Sequence, residues 1–124
     1  MTNSNIEDLL FLKGVEYFNN KEFYNAHESW EELWTNYSLK DSLFIQGLIQ
    51  LSVAFFHIKN FNLIGSKNLF IKCLPKLKKF PSNHRGLNLF EIIDCAEKSL
   101  FKVSSITKSN QFDWELTPEM IKTV

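Results

Sequence analysis

The run Leu43-Phe44-Ile45-Gln46-Gly47-Leu48-Ile49-Gln50-Leu51-Ser52-Val53-Ala54-Phe55-Phe56-His57-Ile58 decides the fold. It is the most apolar stretch of the chain, yet it falls short of the ~20 residues that a membrane span needs. Gln46, Gln50 and His57 lie within it, and lipid would penalise all three. Neither this run nor any other part of the chain alternates apolar and polar residues over a useful length, as a half-buried strand would. It therefore reads as the buried central helix of a bundle, opened by Ser38 with Asp41 and ending near Lys59.

Start and stop signals place four more helices around it. Ser4 followed by Glu7 forms a capping box for the first, which carries Ile6, Leu9, Leu10, Val15 and Phe18. Asn19 and Asn20 break it, and either can cap a second helix running to about Tyr37. Asn60 to Asn62 make a tight turn into the fourth helix, which Pro75 must end or kink because proline lacks a donor. Pro81 to Gly86 reads as loop, and Asn88 with Glu91 caps the fifth helix. Short turns imply antiparallel neighbours, so the first four helices form two hairpins. Phe18, Lys21 and Phe23 recur as Phe56, Lys59 and Phe61, a weakly tetratricopeptide-like repeat that turn chemistry alone could also produce. The expected architecture is an all-α, single-domain bundle of about five helices over residues 1–103. After Phe101 the periodicity fades, and residues 104–124 read as a loosely packed tail with Phe112, Trp114 and Ile121 as anchors.

Composition narrows the function classes. A chain of 124 residues with 44% hydrophobic and 23% charged residues is neither disordered nor a coiled-coil rod. Fourteen basic residues balance fourteen acidic ones, so no net field draws nucleic acid or an acidic membrane. Cys73 and Cys95 have no metal or redox spacing and read as small hydrophobes in a reducing compartment. The N-terminus lacks the basic residues and cleavage site of a secretory signal, which points to an intracellular, soluble protein. An aromatic content of 15% leaves apolar surface for a homo-oligomer or a protein partner without requiring either.

The chemistry-bearing residues concentrate in Ala26-His27-Glu28-Ser29-Trp30-Glu31-Glu32-Leu33-Trp34. At about 100° per residue, His27 and Glu31 share a face, flanked by Tyr24 and by Trp30 and Trp34. Glu28 and Glu32 point away and read as solvated. On the central helix, Gln46, Gln50 and His57 fall within about 40° of one another, a polar stripe on an apolar helix. Buried polar groups cost roughly 1–3 kcal/mol each when unpaired, so the stripe needs partners. If the second and third helices pack antiparallel, one pocket could collect His27, Glu31, Gln46, Gln50 and His57. Two imidazoles and a carboxylate suit Zn²⁺ or Fe²⁺, which would activate a water for hydrolysis. Without metal, Glu31 would orient His27 as a general base or as a holder of a small polar ligand. The purely structural alternative is a His–Glu pair satisfied by glutamines that fixes helix register.

These residues also carry a resemblance. Phe18 to Trp34, with its Ala26-His27-Glu28 and Trp30-Glu31 pattern, followed by Gln46-Gly47-Leu48-Ile49-Gln50, is similar to the helical family called domain of unknown function 309. The resemblance spans roughly residues 11–90 and includes Gly65-Ser66 where the family usually has Gly-Ala. It implies a small all-helical bundle from bacteria, archaea or plastid-bearing lineages, hence a bacterial cytosol or plastid stroma. Some relatives carry the label of metal-dependent hydrolase, and the family's polar positions fall on His27, Glu31, Gln46, Gln50 and His57. Two function classes follow. In one, the pocket binds a divalent metal or small polar ligand: His27 and Glu31 are catalytic, His57 is a third metal ligand, and Trp30, Trp34, Gln46 and Gln50 line the site. In the other, the hairpins form a non-catalytic interaction module and the polar pocket is structural.

Overall fold

The computed structural model describes residues 3–120, with side chains from residue 5 onward. Five helices follow one another: α1 (Asn3–Asn19), α2 (Phe23–Asn36), α3 (Ser42–Lys59), α4 (Leu63–Leu77) and α5 (Leu89–Ser105). Two single-turn 3₁₀ segments, Ser109–Gln111 and Trp114–Leu116, complete the described chain. The expected all-α architecture is present, and each helix from α1 to α5 packs mainly against its neighbours in sequence. α1 is already helical at Asn3, so Ser4 lies inside it rather than at its cap. α3 is the one described helix long and apolar enough to cross a membrane. Its apolar surface is occupied here, because α3 packs between α2 and α4 and buries Phe44, Ile45, Leu48, Leu51 and Phe55 completely.

The two hairpins repeat with a spacing of 40 residues. The Asn20 amide donates to the Glu16 and Tyr17 carbonyls and the Glu22 amide to Tyr17; Asn60 donates to Phe56 and His57, and Asn62 to His57. Lys21 and Phe61 both take a φ of 60° at the equivalent turn position. The pairing of Phe23 with Phe61 suggested by sequence is thus out of register by two. Phe23 opens α2 and is buried, whereas Phe61 is the left-handed turn residue and is 83% exposed. Gly47 allows the close α3–α4 approach, since a Cβ there would stand 2.8 Å from Leu77 Cδ2. Gly65 leaves room for the Asn62 side chain, which accepts a 2.8 Å bond from its amide to cap α4.

Three further expectations change. Pro75 neither ends nor visibly interrupts α4, which continues to Leu77. Pro75 sits on the exposed side of the last turns, where solvent can replace the missing donor. The stretch read as loop contains a small antiparallel hairpin, β1 (Asn83–His84) with β2 (Leu87–Asn88). Its central residues, Arg85 and Gly86, both have positive φ, as a two-residue turn matching strand twist requires. Two-residue strands are too short to show a period, which is why the sequence hides them. The C-terminal segment is also held firmly. Asn19 donates to the Met120 carbonyl at 3.0 Å and accepts from its amide at 2.7 Å. Phe112 and Met120 are buried, and Trp114 stacks on Phe23 with centroids 6.1 Å apart. Ile121 lies outside the described residues.

Candidate functional site

The outer side of α2 carries the His27–Glu31 pair. One helical turn separates the residues, and His27 Nε2 donates to Glu31 Oε2 at 2.7 Å. A carboxylate oxygen can only accept, so Nε2 carries a proton. Nδ1 lies 3.3 Å from the Tyr24 carbonyl oxygen. Both ring nitrogens thus face oxygens of their own helix in this geometry. The pair lies in an open depression of about 410 Å³ lined by Tyr24, His27, Glu28, Glu31, Glu32, Thr35 and Asn36, all from α2. Tyr24 links it to α3, with its ring 5.4 Å from both the His27 and Phe56 rings.

Other residues of the expected pocket go elsewhere. Trp30 is not a wall of the site but a core residue, completely buried, with its indole N–H donating to the Phe11 carbonyl at 3.1 Å. The ring passes over Gly14 so closely that a Cβ there would lie 2.1 Å from Nε1. Trp34 is 40% exposed, and Glu28 and Glu32 are exposed as expected but, instead of pointing away, line the same depression as His27 and Glu31. Gln46, Gln50 and His57 are half-buried along one stripe of α3, and their side chains make no hydrogen bond or ion pair among the described residues. Gln50 stands out: its Oε1 is shut off from solvent and has no donor. None of the three lines the depression around His27. Among the described residues no three His, Cys, Asp or Glu side chains converge to hold a metal, so the His27–Glu31–His57 ligand set is not assembled. The reason is helical geometry: His27 turns back along its own helix to Glu31 and is satisfied there.

Sequence reasoning missed the most strongly bonded polar cluster. Asp41 precedes the first residue of α3 but makes no cap bond with its side chain. Its carboxylate instead accepts from Arg85 Nε at 2.6 Å, from Arg85 Nη2 at 2.9 Å and from His84 Nε2 at 2.8 Å. Burial by itself would raise the Asp41 pKa, but the hydrogen bonds and charges of Arg85 and His84 outweigh it and hold the carboxyl below its usual range. The Asp41 hydrogen bond in turn raises the Arg85 pKa against the opposing effect of burial. Arg85 also stacks over the Phe11 ring at 4.9 Å, and His84 packs edge-on to Phe44 at 4.5 Å. The available signal was Arg85-Gly86, the single arginine beside a glycine in a turn. Its cluster joins α1, the start of α3 and the hairpin, and is a structural clasp. Cys73, buried against Phe70, has its thiol pushed up to about 12 by desolvation and is no nucleophile.

Residues 11–69 match the family described as Domain of unknown function (DUF309). Over 85 residues the chain is 35% identical to an uncharacterized protein of Aquifex aeolicus (strain VF5), an alignment that takes in 65% of this chain. The chain spans about a quarter of the length of that curated relative, 25%.

Proposed function

We propose, from the premise that residues 11–69 belong to the domain of unknown function 309 family, that the chain is a non-catalytic binding module whose recognition surface is the polar stripe of α3. The observation that carries this reading is the Gln50 carboxamide, whose oxygen is shielded from water and lacks a donor while the stripe around it stays half open. The hydroxyls of Ser66, Ser99, Ser109 and Thr117 are also buried without a partner, but the Gln50 oxygen sits on the half-open stripe, where the roughly 1–3 kcal/mol cost of an unpaired buried oxygen is recovered if an outside donor supplies the bond. A peptide group fits, because glutamine offers an acceptor and two donors to a backbone amide and Gln46 repeats them one turn away. The match to a quarter of a longer relative also suits a module. The hydrolase reading has no assembled ligand set among the described residues to rest on.

Gln50→Leu tests the proposal. If the stripe is kept for binding, the variant should be more stable than the natural chain by about 1–2 kcal/mol in urea unfolding. N-acetylglycinamide, the simplest peptide probe, should shift the Gln50 side-chain amide resonances and should leave the stripe of the variant unmoved. A Gln50→Leu protein that loses stability would show that the carboxamide serves the fold, and the proposal would fall.

A further inference from the structure

The equivalent outer sides of the two hairpins carry opposite charge. α2 contains Glu28, Glu31 and Glu32 and no lysine or arginine, whereas α4, its counterpart 40 residues on, contains Lys67, Lys72 and Lys76 and no acid. Glu28 and Glu32 are exposed, as are Lys67 and Lys72, and among the described residues none of these four forms an ion pair. The α4 side adds more exposed aliphatic surface than α2, whose large exposed side chains are Tyr24 and Trp34. Phe61 is 83% and Ile64 78% exposed, and Ile71, two turns after Ile64, is half exposed. Ile64 and Ile71 with flanking Lys67 and Lys72 form an apolar strip with a basic rim, the composition of an interaction surface rather than of a solvated helix face. The acidic side of α2 offers the complement, with Tyr24 as its half-exposed ring.

We infer that the outer side of α4 is a docking surface for a second copy of this chain, which presents the outer side of its α2. Unneutralised charges of opposite sign on one molecule of zero net charge favour contact between copies and resist contact between like faces. The contact joins unlike faces, so it forms an open chain of copies unless the geometry closes it into a ring or a two-fold pair. It involves neither the α3 stripe nor Gln50, and it stands or falls separately from the peptide-binding proposal.

The test is sedimentation of the full chain from low to high micromolar concentration, at low and high salt. Association that weakens with salt is expected, because charges on an exposed rim are screened. Lys67→Glu/Lys72→Glu and Glu28→Lys/Glu32→Lys should each give a monomer with unchanged circular dichroism, since all four positions are exposed. Mixing the two variants should restore association, because the intact acidic face of the first meets the intact basic face of the second. A natural chain that stays monomeric throughout overturns the inference, as does association that survives both charge reversals. A monomer whose α4 resonances move on adding a glutamate-rich helical peptide would assign the face to an acidic partner and overturn the second copy.

Discussion

Replacing Asp41 with Asn tests the clasp that joins α1, α3 and the β1–β2 hairpin. The amide keeps the size of the carboxylate and the capping preference of the position, and α3 makes no side-chain cap bond to lose. It removes the charge and turns an NH₂ toward one of three donors, Arg85 Nε, Arg85 Nη2 or His84 Nε2. Exposed ion pairs contribute about 0.2–1 kcal/mol, and breaking a fully buried one costs about 3–5 kcal/mol. The side chains here are 14–23% accessible, so the cost should lie between, at about 2 kcal/mol. For a chain of this length that is a melting-point drop of roughly 6–10 °C. The pH dependence has a definite sign. A carboxyl whose folded pKa is lowered stabilises the fold above the unfolded pKa and loses that contribution as pH falls through the folded value. The gap between the natural chain and Asp41→Asn should therefore be present at neutral pH and close progressively below about pH 4. Urea unfolding of both proteins between neutral and acid pH measures it. A neutral-pH difference below about 0.5 kcal/mol, or one that persists undiminished in acid, would refute the electrostatic account.

Three other substitutions probe neighbouring features. Gly14→Ala drives a methyl into the Trp30 indole and should cost about 3 kcal/mol or more, read as a fall in the urea midpoint; a neutral result would mean that the α1–α2 contact can open at little cost. Asn19→Ala removes both bonds to Met120 and should speed cleavage of the C-terminal segment by a nonspecific protease, with a stability loss of about 1–2 kcal/mol. Glu31→Gln should change stability by less than about 0.5 kcal/mol, because Glu31 is 53% exposed and the pair spans one turn of a single helix; a larger loss would restore a structural role for the pair.

The helices were legible because their limits depend on local chemistry. The Asn60–Asn62 turn, the Asn88–Glu91 cap and the end of α3 at Lys59 each follow from residues within a few positions of one another. Features that depend on distant partners were not. Pro75 lies near the C-terminal end of α4 on its exposed side, where solvent can donate to the carbonyl left without an amide partner, and which side is exposed is set by distant packing. Asn19 reads as a breaker in sequence, yet its side chain is the anchor for Met120, a separation that no local rule reaches. The repeat was visible but misaligned because phenylalanine occurs on both sides of each turn. Turn hydrogen bonds fix the register, and side-chain identity does not.

The candidate site failed to assemble for a related reason. A helical wheel shows that His27 and Glu31 share a face and that Gln46, Gln50 and His57 share another, but it cannot show whether two such faces meet. Here each polar set has a separate outcome. His27 is satisfied within its own helix, Trp30 is consumed by the core over Gly14, and the carboxylate that does gather partners from across the chain is Asp41, read from sequence only as a cap. Five buried oxygens lack a partner among the described residues, the hydroxyls of Ser66, Ser99, Ser109 and Thr117 and the carboxamide oxygen of Gln50, and of these the Gln50 oxygen belongs to the α3 stripe. A fold that satisfies Asp41 three times over leaves the Gln50 oxygen dry and unpaired on a side chain that is itself half open, so a small turn of that side chain brings the oxygen to an outside donor, and that makes the α3 stripe a better guide to function than the histidine the sequence draws attention to first.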